Sequence, residues 1–422
     1  MASTAVMMVG GPTKGTRFRP LSLTLMKPLF PIAGKPLVMH PVLACKKIPD
    51  LLQVVLVGFY TREEMASLDT ALLSRELGVP VTYVQEEAGG LGSAGGLLRF
   101  RDILLQGDPK YLFVLNCDVC SDYPLLEMLD FHKSHGGQAT ILVKKVDPEV
   151  AKEHGVVVLR EGGDGQVLHY AEKPGTVVST TVNCGLYVFT CPDVFDEIAD
   201  LMSSRSATDD LQHLSDQFSL VPDSISPSSS WKRNHSGALQ KKLGMPEVHS
   251  ALAEKKKLFA FESKGFWEQL KQPGSSLKFS KLYLSVLGSD LAHARARLKG
   301  GPEIVGNVYI HPSANVHPDA KIGPNVAIEA DAVIGEGVRI KDCIVLNGVQ
   351  VMPNACIVNS IIGWDSVVGP WARIQGSDDY DSKMGVTILA EDVCVGPQVV
   401  VVSSIILPHK EIKSNVSNDI VL

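Results

Sequence analysis

Every sixth residue in the last third of the sequence is apolar, and this period limits the possible folds more than any other feature. Nine consecutive positions follow it: Ile310, Val316, Ile322, Ile328, Ile334, Ile340, Leu346, Met352 and Val358. The frame slips near Trp364 and then resumes: Val368 and Ile374, and, beyond the polar segment 376–385, Leu389, Val395, Val401 and Leu407. Because an α-helix would need a period near 3.6 residues, this pattern predicts a parallel β-helix over residues 300–422.

The first part of the chain alternates between short apolar, β-branched runs and helical patterns. The predicted strands are residues 5–9, 53–59, 81–84, 111–116, 139–146 and 185–190. Residues 61–77 have apolar side chains three or four apart, which predicts a helix. Strands that are apolar on both faces and separated by helices indicate an α/β domain with a mostly parallel sheet. We assign residues 1–299 to this domain and expect ligands at the carboxyl ends of its strands.

Residues 203–257 are the exception within the first domain. This segment is rich in serine and other polar residues and shows no sustained period. We therefore expect most of it to be loop.

Composition argues against several classes of protein. A net charge of −6 without a long basic block makes nucleic acid and acidic membranes poor partners. No run of apolar residues approaches the length of a membrane helix, and the first residues lack a basic leader, so we expect a cytoplasmic protein. The eight cysteines are scattered, and Cys117 and Cys120 lack the second pair that a zinc site needs. Reduced thiols are the expected state.

The segment from Gly10 to Pro20, GGPTKGTRFRP, follows the first predicted strand. It is not a Walker loop, because no Lys-Ser or Lys-Thr pair follows its last glycine, and a glycine-rich turn alone is weak support for phosphate binding. Further polar groups lie at other turns: Lys27, Asp118 at the end of a strand, and the tripeptides EKP (172–174) and NCG (183–185).

Together these motifs resemble the GDP-mannose pyrophosphorylase (mannose-1-phosphate guanylyltransferase) family over nearly the whole chain. The resemblance implies a Rossmann-like nucleotidyltransferase domain followed by a left-handed β-helix of hexapeptide repeats. It implies a nucleotide site made of Gly10, Gly11, Gly15, Thr16, Arg17, Lys27, Gln85, Gly92 and Ser93. It implies a sugar-phosphate site made of Gly155, Glu172, Lys173 and Asn183, and Asp118 as a Mg²⁺ ligand. Backbone N–H groups and basic side chains at such a site suit phosphate oxygens.

The sequence departs from the catalytic pattern of this family. The glycine turn is two residues longer than in the catalytic members, and Met26 replaces a proline. Gln269 stands where those members have a second magnesium-binding aspartate, and it offers an oxygen but no charge. The neighbouring Glu268 should point to the opposite face of its strand. Lys271 would partly replace the missing cation, so Mg²⁺ should bind weakly, with Arg17 and Lys27 as vestigial catalytic residues. No organic cofactor is expected.

The longer turn and the missing carboxylate are features of the family's non-catalytic alpha subunit. The resemblance thus implies a regulatory subunit that binds GDP-mannose or GTP, joins a catalytic guanylyltransferase subunit and forms homo- and hetero-oligomers. Two alternatives stay open: an active guanylyltransferase that tolerates Gln269, and an acyltransferase that uses a histidine of the β-helix. His311, His317 and His409 are the candidates for the latter, although His-Pro pairs at coil corners suit turns better.

Overall fold

The protein folds into an α/β domain and a β-helix that pack against each other. A computed structural model describes residues 1–11, 16–87, 90–204, 242–287, 301–382 and 384–422. The strands of the first domain are β1 (Ser3–Gly10), β2 (Pro31–Ile32), β3 (Lys35–Pro36), β4 (Leu51–Gly58), β5 (Val81–Gln85), β6 (Tyr111–Asn116), β7 (Val119–Ser121), β8 (Ala139–Lys145), β9 (Gly155–Leu159), β10 (Val167–Glu172), β11 (Thr181–Thr190), β12 (Leu258–Glu262) and β13 (Trp267–Gln269).

The helices cover both faces of the sheet, so the strand interiors are apolar on both sides. In chain order they are α1 (Met39–Ala44), α2 (Thr70–Leu77), α3 (Gly92–Arg99), α4 (Arg101–Leu104), α5 (Leu125–His135), α6 (Pro148–Ala151), α7 (193–204, up to the end of that described range), α8 (Met245–Glu254) and α9 (Ser275–Val286). Short 3₁₀ helices lie at Thr16–Phe18, Leu21–Leu23, Lys27–Leu29 and Cys45–Lys47. None of the described helices is both long and apolar enough to cross a membrane.

The main sheet has the order β10-β9-β11-β6-β1-β4-β5, and β8 joins it through β11 and pairs with β12. All of its strands except β10 and β11 run in one direction, which confirms the mostly parallel sheet. In the pairing register, Gly10 of β1 lies beside Gly58 of β4, which lies beside Gln85 of β5. The carboxyl ends of these strands therefore form one edge, where the predicted nucleotide residues meet.

Two local predictions for this domain differ from the structure. The helix expected over 61–77 occupies only its last part, because the Asp69 carboxylate accepts a hydrogen bond from the N–H of Leu72 and starts the helix there. Residues 245–254, expected to be loop, form α8, with proline in its first turn and Glu247 bonded back to the N–H of Gly244. Residues 205–241 lie outside the described residues, as does the predicted boundary between 299 and 300.

The second domain consists of short parallel strands stacked in successive coils, which confirms the β-helix expectation for its parallel architecture. The strands are β14 (Glu303–Ile304), β15 (Val308–Ile310), β16 (Asn315–Val316), β17 (Lys321–Ile322), β18 (Val326–Ile328), β19 (Val333–Ile334), β20 (Arg339–Val345), β21 (Gln350–Val351), β22 (Cys356–Ile362), β23 (Val367–Val368), β24 (Arg373–Gln375), β25 (Thr387–Leu389), β26 (Cys394–Val395), β27 (Val400–Val402), β28 (Ile405–Ile406), β29 (Glu411–Ile412), β30 (Val416–Ser417) and β31 (Ile420–Val421). Each coil contributes one strand segment to each of three faces.

The apolar column of the β-helix changes frame earlier than the sequence period predicted. The core contains Val345, Val351 and Ile357, one residue before the predicted Leu346, Met352 and Val358. Leu346 is buried instead against the first domain, and Met352 and Val358 are half-buried. The strand pairing gives the reason. Lys321 lies beside Arg339, and Arg339 lies beside Cys356, but the second spacing in sequence is one residue shorter than the first, so this coil has one residue fewer. Likewise Ile406 replaces the predicted Leu407.

One face of the β-helix, formed by β15, β18, the second halves of β20 and β22, β25, β28 and β31, packs against the first domain. Its outward column is apolar and largely buried: Ala327, Ile344, Ile361 and Ile388. Helix α9 of the first domain contacts β18, β20 and β22. At the rim, the ring of Tyr309 lies against Gly34, where no side chain would fit. Burial of this column fixes the two domains against each other.

His249 of α8 is a buried group that weakens the fold. It lies among the rings of Tyr170, Tyr187 and Phe189, and neither of its nitrogens has a hydrogen-bond partner among the described residues. Burial lowers the pKa of His249 from 6.5 to about 3. Because the pKa of His249 is lower in the folded chain, the free energy of unfolding is unaffected by its protonation above pH 6.5. It decreases as the pH falls from 6.5 toward 3, since the unfolded chain then binds a proton that the folded chain excludes.

We therefore expect His249→Phe to stabilise the protein. Removing two unpaired buried nitrogens should raise the free energy of unfolding by about 1 kcal/mol at pH 7.5. At pH 5 the gain should be larger by about 2 kcal/mol, because the unfolded wild-type chain then binds a proton that the folded one excludes. Urea unfolding at both pH values measures this. The same change at exposed His169 should alter stability at pH 7.5 by less than about 0.5 kcal/mol. An equal gain at both pH values would contradict the explanation.

Candidate functional site

The glycine turn after β1 is shaped for close backbone approach. Gly10 has a φ of +79°, which favours glycine, and a Cβ on Gly11 would lie 2.8 Å from Cβ of Phe59. Thr16 and Arg17 follow on a 3₁₀ helix with exposed side chains. Gly15 and residues 12–14, which contain the two-residue extension, lie outside the described residues. The described part of the turn thus presents a hydroxyl and a guanidinium at the carboxyl ends of the strands.

Lys27 links two separate segments of the site. Its ammonium lies 3.0 Å from a carboxylate oxygen of Asp118 and donates a hydrogen bond of 2.5 Å to the carbonyl oxygen of Leu270. Both side chains of the ion pair are partly buried, the lysine at 15% exposure. The backbone N–H of Leu270 donates to the carbonyl of Asp118 at 2.8 Å, which closes the arrangement. A phosphate oxygen that reaches Lys27 would therefore meet an ammonium already held in place.

The described residues do not fit a two-carboxylate Mg²⁺ site. Gln269 lies opposite Val119, the residue that follows Asp118, in the β7–β13 pair. Glu268 faces away, as expected, and its carboxylate pairs with Lys278 of α9 at 2.6 Å. Among the described residues, no group of three His, Cys, Asp or Glu side chains is arranged to hold a metal. The cation beside Asp118 is the Lys27 ammonium.

Lys271 lies on the sugar-phosphate side of the site rather than beside Asp118. Its ammonium is 3.0 Å from the Glu153 carboxylate and 3.1 Å from Nε2 of His154. The hydrogen bond and charge of Lys271 lower the pKa of Glu153, and the charge of Arg17 contributes in the same direction. Burial, followed by the charge of Lys271, lowers the pKa of His154 from 6.5 to about 4, so this imidazole is neutral at physiological pH. It can accept a hydrogen bond from Lys271.

The predicted sugar-phosphate residues converge on a tyrosine pair. Gly155 of β9 pairs with Glu172 of β10, and the hydroxyl of Tyr170 donates to the Glu172 carboxylate at 2.9 Å. The amide of Asn183 on β11 donates to the hydroxyl oxygens of Tyr170 and Tyr187 at 3.2 and 3.0 Å. The structure therefore brings Gly155, Glu172 and Asn183 together with Tyr170 and Tyr187 into one polar network, called the tyrosine network below.

Lys173 extends this network toward the Lys271 group. It has a φ of +45°, and its N–H donates to the carbonyl of His154 at 3.1 Å. Its exposed ammonium lies 3.9 Å from the Glu172 carboxylate. Lys173 and Lys271 thus flank the chain at His154.

Two of the predicted nucleotide residues, Gly92 and Ser93, are used by the fold itself. They begin α3, whose N–H groups at residues 94 and 95 donate to the carbonyl of Leu243. The hydroxyl of Ser93 accepts a hydrogen bond from the N–H of Met245 at 2.9 Å. Gly92, with a φ of +87°, leaves room for the backbone of Leu243. Gln85, at the end of β5, stays exposed.

A cavity of about 440 Å³ lies beside the glycine turn. It shares Thr16 and Lys27 with the predicted site and is otherwise lined by the 3₁₀ segment up to Lys27, Tyr60 and Glu64. Its lining includes none of the residues of the tyrosine network. We place the candidate functional site at the carboxyl ends of the strands, because the paired charges and converging polar groups lie there.

The three candidate histidines of the β-helix make structural contacts. The Nδ1 atoms of His311 and His317 accept hydrogen bonds from N–H groups two residues later, and Nδ1 of His409 lies 2.9 Å from Asp392. The first two contacts stabilise turns, as the His-Pro pairs indicated, and the third joins adjacent coils. All eight cysteines are free thiols, and burial raises the pKa of Cys117 to about 12, which makes it unreactive.

Comparison with known proteins agrees with this architecture. The sequence profile described as Nucleotidyl transferase matches residues 4–220, and the one described as GMPPB C-terminal domain matches residues 304–421. A protein of Xenopus tropicalis named mannose-1-phosphate guanylyltransferase regulatory subunit alpha is 42% identical, over 99% of both chains. The chain belongs to the mannose-1-phosphate guanylyltransferase family. Relatives with the same regulatory-subunit name in Dictyostelium discoideum and Rattus norvegicus are each 38% identical over 99% of this chain and 98% and 99% of theirs.

A solved structure supports the fold of this family member. It is a putative glucose-1-phosphate thymidylyltransferase from Bacillus anthracis, with a TM-score of 0.50 and 17% identity. The match covers 66% of this chain and 94% of that one. At this identity the likeness concerns the nucleotidyltransferase fold alone.

Sequence reasoning missed several groups of the guanylyltransferase-family site. Tyr170, Tyr187, Glu153 and His154 were not singled out, because a tyrosine inside a strand or a glutamate after a short helix carries no local motif. The one available signal was position: Tyr170 precedes the EKP tripeptide by two residues and so lies on the same strand face as Glu172.

The network predicts a strict need for glycine at position 155. A Cβ there would collide with the Tyr170 hydroxyl and lie 2.8 Å from the Glu172 carboxylate. Gly155→Ala should displace Tyr170, and it should weaken binding of GDP-mannose, the ligand proposed below, at least tenfold in isothermal titration calorimetry. Gly175→Ala, where a Cβ would meet nothing within 4 Å, is the matched control and should leave affinity unchanged. If both variants bound the ligand with equal affinity, the tyrosine network would have no role in ligand binding.

Proposed function

We propose that this chain is the regulatory, GDP-mannose-binding subunit of a mannose-1-phosphate guanylyltransferase complex. Such a complex would supply GDP-mannose for glycan and for cell-wall or ascorbate-type pathways. The full-length similarity to proteins named regulatory subunit alpha supports this role. The observation that carries it is the state of Asp118, which is paired with the Lys27 ammonium beside a glutamine rather than a second carboxylate.

The charges at the strand edge favour a diphosphate ligand. Arg17, Lys27, Lys173 and Lys271 surround the region between the glycine turn and β9, and their positive charge suits the two negative charges of a nucleoside diphosphate sugar. Hydrogen-bonding groups of the tyrosine network suit sugar hydroxyls. We propose that GDP-mannose binds here, with GTP as the alternative ligand.

Turnover is the step that the site does not support. Formation of GDP-mannose requires mannose 1-phosphate to attack the α-phosphate of GTP while diphosphate leaves. Mg²⁺ would neutralise charge in that step, but the described residues supply one carboxylate for it, already paired with Lys27. We therefore propose that Mg²⁺ binds weakly, that no organic cofactor takes part and that the chain acts on a catalytic guanylyltransferase subunit within homo- and hetero-oligomers.

Binding is tested with the purified chain and GDP-mannose. We expect saturable heat in isothermal titration calorimetry, with and without EDTA. Arg17→Ala removes a charge-assisted phosphate contact worth about 1.5–3 kcal/mol and should weaken affinity by roughly 10- to 150-fold. Arg75→Ala, at an exposed position on α2, is the control and should bind like the wild type. Absence of heat with saturating GDP-mannose would refute a nucleotide-sugar site.

Activity is tested with GTP, mannose 1-phosphate and Mg²⁺. Alone, the chain should turn over at least a hundredfold more slowly than a catalytic homologue, which corresponds to about 2.7 kcal/mol of barrier. Gln269→Asp should recover little, because Lys27 still occupies Asp118. Mixing the chain with the catalytic subunit should change that subunit's rate or its response to GDP-mannose. Robust Mg²⁺-dependent turnover by the chain alone, lost in Asp118→Ala, would instead establish the alternative, an active guanylyltransferase.

A further inference from the structure

Trp371 has an unusual backbone conformation at a corner of the β-helix. It has a φ of +61°, in the left-handed region that bulky residues rarely adopt. Stacked hydrogen bonds place Asn354 and Gln398 at the same corner in the coils before and after it: Trp371 N–H donates to Pro353, and Gln398 N–H donates to Pro370. Asparagine and glycine suit such a corner, and a tryptophan there adds strain.

The indole of Trp371 is also exposed, at 65% of its surface. The described residues provide no ring partner for it, and the corner residue below it is the small Asn354. A strained, exposed tryptophan therefore contributes little to the packing of this chain. Tryptophan is among the residues that most often anchor protein–protein interfaces.

A column of basic residues begins two residues after Trp371. Lys321, Arg339 and Arg373 lie in one outward column on β17, β20 and β24, and Cys356 of β22 separates the two arginines. Arg339 and Arg373 are thus two strand spacings apart, roughly 10 Å. Lys321 pairs with Glu303 at 2.8 Å, and Arg373 donates to the neutral Gln375. Neither arginine has a carboxylate partner within the described part of the chain.

We propose that Trp371, Arg339 and Arg373 form a docking surface for the catalytic guanylyltransferase subunit, and this assignment rests on the proposed function. The complementary partner surface carries carboxylates, which guanidinium groups bind in bidentate geometry, beside an apolar pocket for the indole. A second copy of this chain is disfavoured in a two-fold arrangement, because the basic column would face itself. Nucleic acid is disfavoured by the net charge of −6.

The decisive variant is Trp371→Asn, which copies the residue found at this corner one coil earlier. Asparagine tolerates the left-handed conformation, so the thermal midpoint should stay the same or rise, whereas loss of an anchor should weaken association with the catalytic subunit at least tenfold. Biolayer interferometry measures association, and thermal unfolding measures stability. A tryptophan needed for packing would instead lower the midpoint, which would overturn the proposal.

The charged residues are tested in the same way. Arg339→Glu and Arg373→Glu should each weaken association at least tenfold and should make it less sensitive to salt. Lys413→Glu, in the last coil, and Gln398→Asn, at the same corner as Trp371, are matched controls that should associate like the wild type. GDP-mannose affinity should be the same in all of these variants, which shows that the ligand site is intact.

The outcomes separate this proposal from the function on which it rests. If the wild-type chain does not associate with the catalytic subunit, both fail. If it associates and Trp371→Asn associates equally well, only the docking surface is overturned. If Trp371→Asn abolishes self-association of the chain and leaves association with the catalytic subunit unchanged, the occupant is a second copy and the assignment to the catalytic subunit is wrong.

Discussion

The ammonium of Lys27 connects three segments that are far apart in the chain. Asp118 lies 91 residues away and Leu270 lies 243 residues away, and both accept a hydrogen bond from it. Since this cation neutralises the carboxylate, the end of β6 and the segment after β13 can lie side by side without a metal ion. The position of Lys271, and through it of Glu153 and His154, follows from this arrangement. In the proposed function, a site built this way would hold phosphate by fixed cations, which suits binding more than turnover.

The same region is continuous with the β-helix. Phe18, next to the exposed Arg17, contacts Phe30 edge to face at 5.1 Å between ring centroids, and Phe30 contacts Trp364 of the β-helix at 6.1 Å. The hydroxyl of Thr24 donates to Glu391 at 2.9 Å. Aromatic packing of this kind joins the glycine turn to the second domain in one apolar core. In the proposed function, one packed core would therefore connect the ligand site with the domain that contacts the partner.

Prediction from the sequence succeeded where one short stretch determines the structure and failed where distant contacts intervene. Residues 111–116 form the predicted strand, because every side chain from Tyr111 to Leu115 is buried on one face or the other. The start of α2 was misjudged, because a side-chain cap at Asp69 outweighs apolar periodicity. The change of frame before Val345 went unnoticed, since Val345 and Leu346 are both apolar and only the packing of the first domain distinguishes inward from outward.

The sequence alone predicted the two architectures and the end of the sheet where the candidate site lies, and the family resemblance added that Gln269 replaces a carboxylate. Periodicity and residue chemistry are local properties, so a single chain displays them. Tertiary structure decided which charges meet. Only the folded chain shows that Lys27 rather than Lys271 pairs with Asp118, that Ser93 accepts a hydrogen bond from the first residue of α8 and that Tyr170 and Tyr187 hold Asn183. These contacts join residues far apart in sequence, and no local pattern encodes the distance between two side chains once the chain has folded.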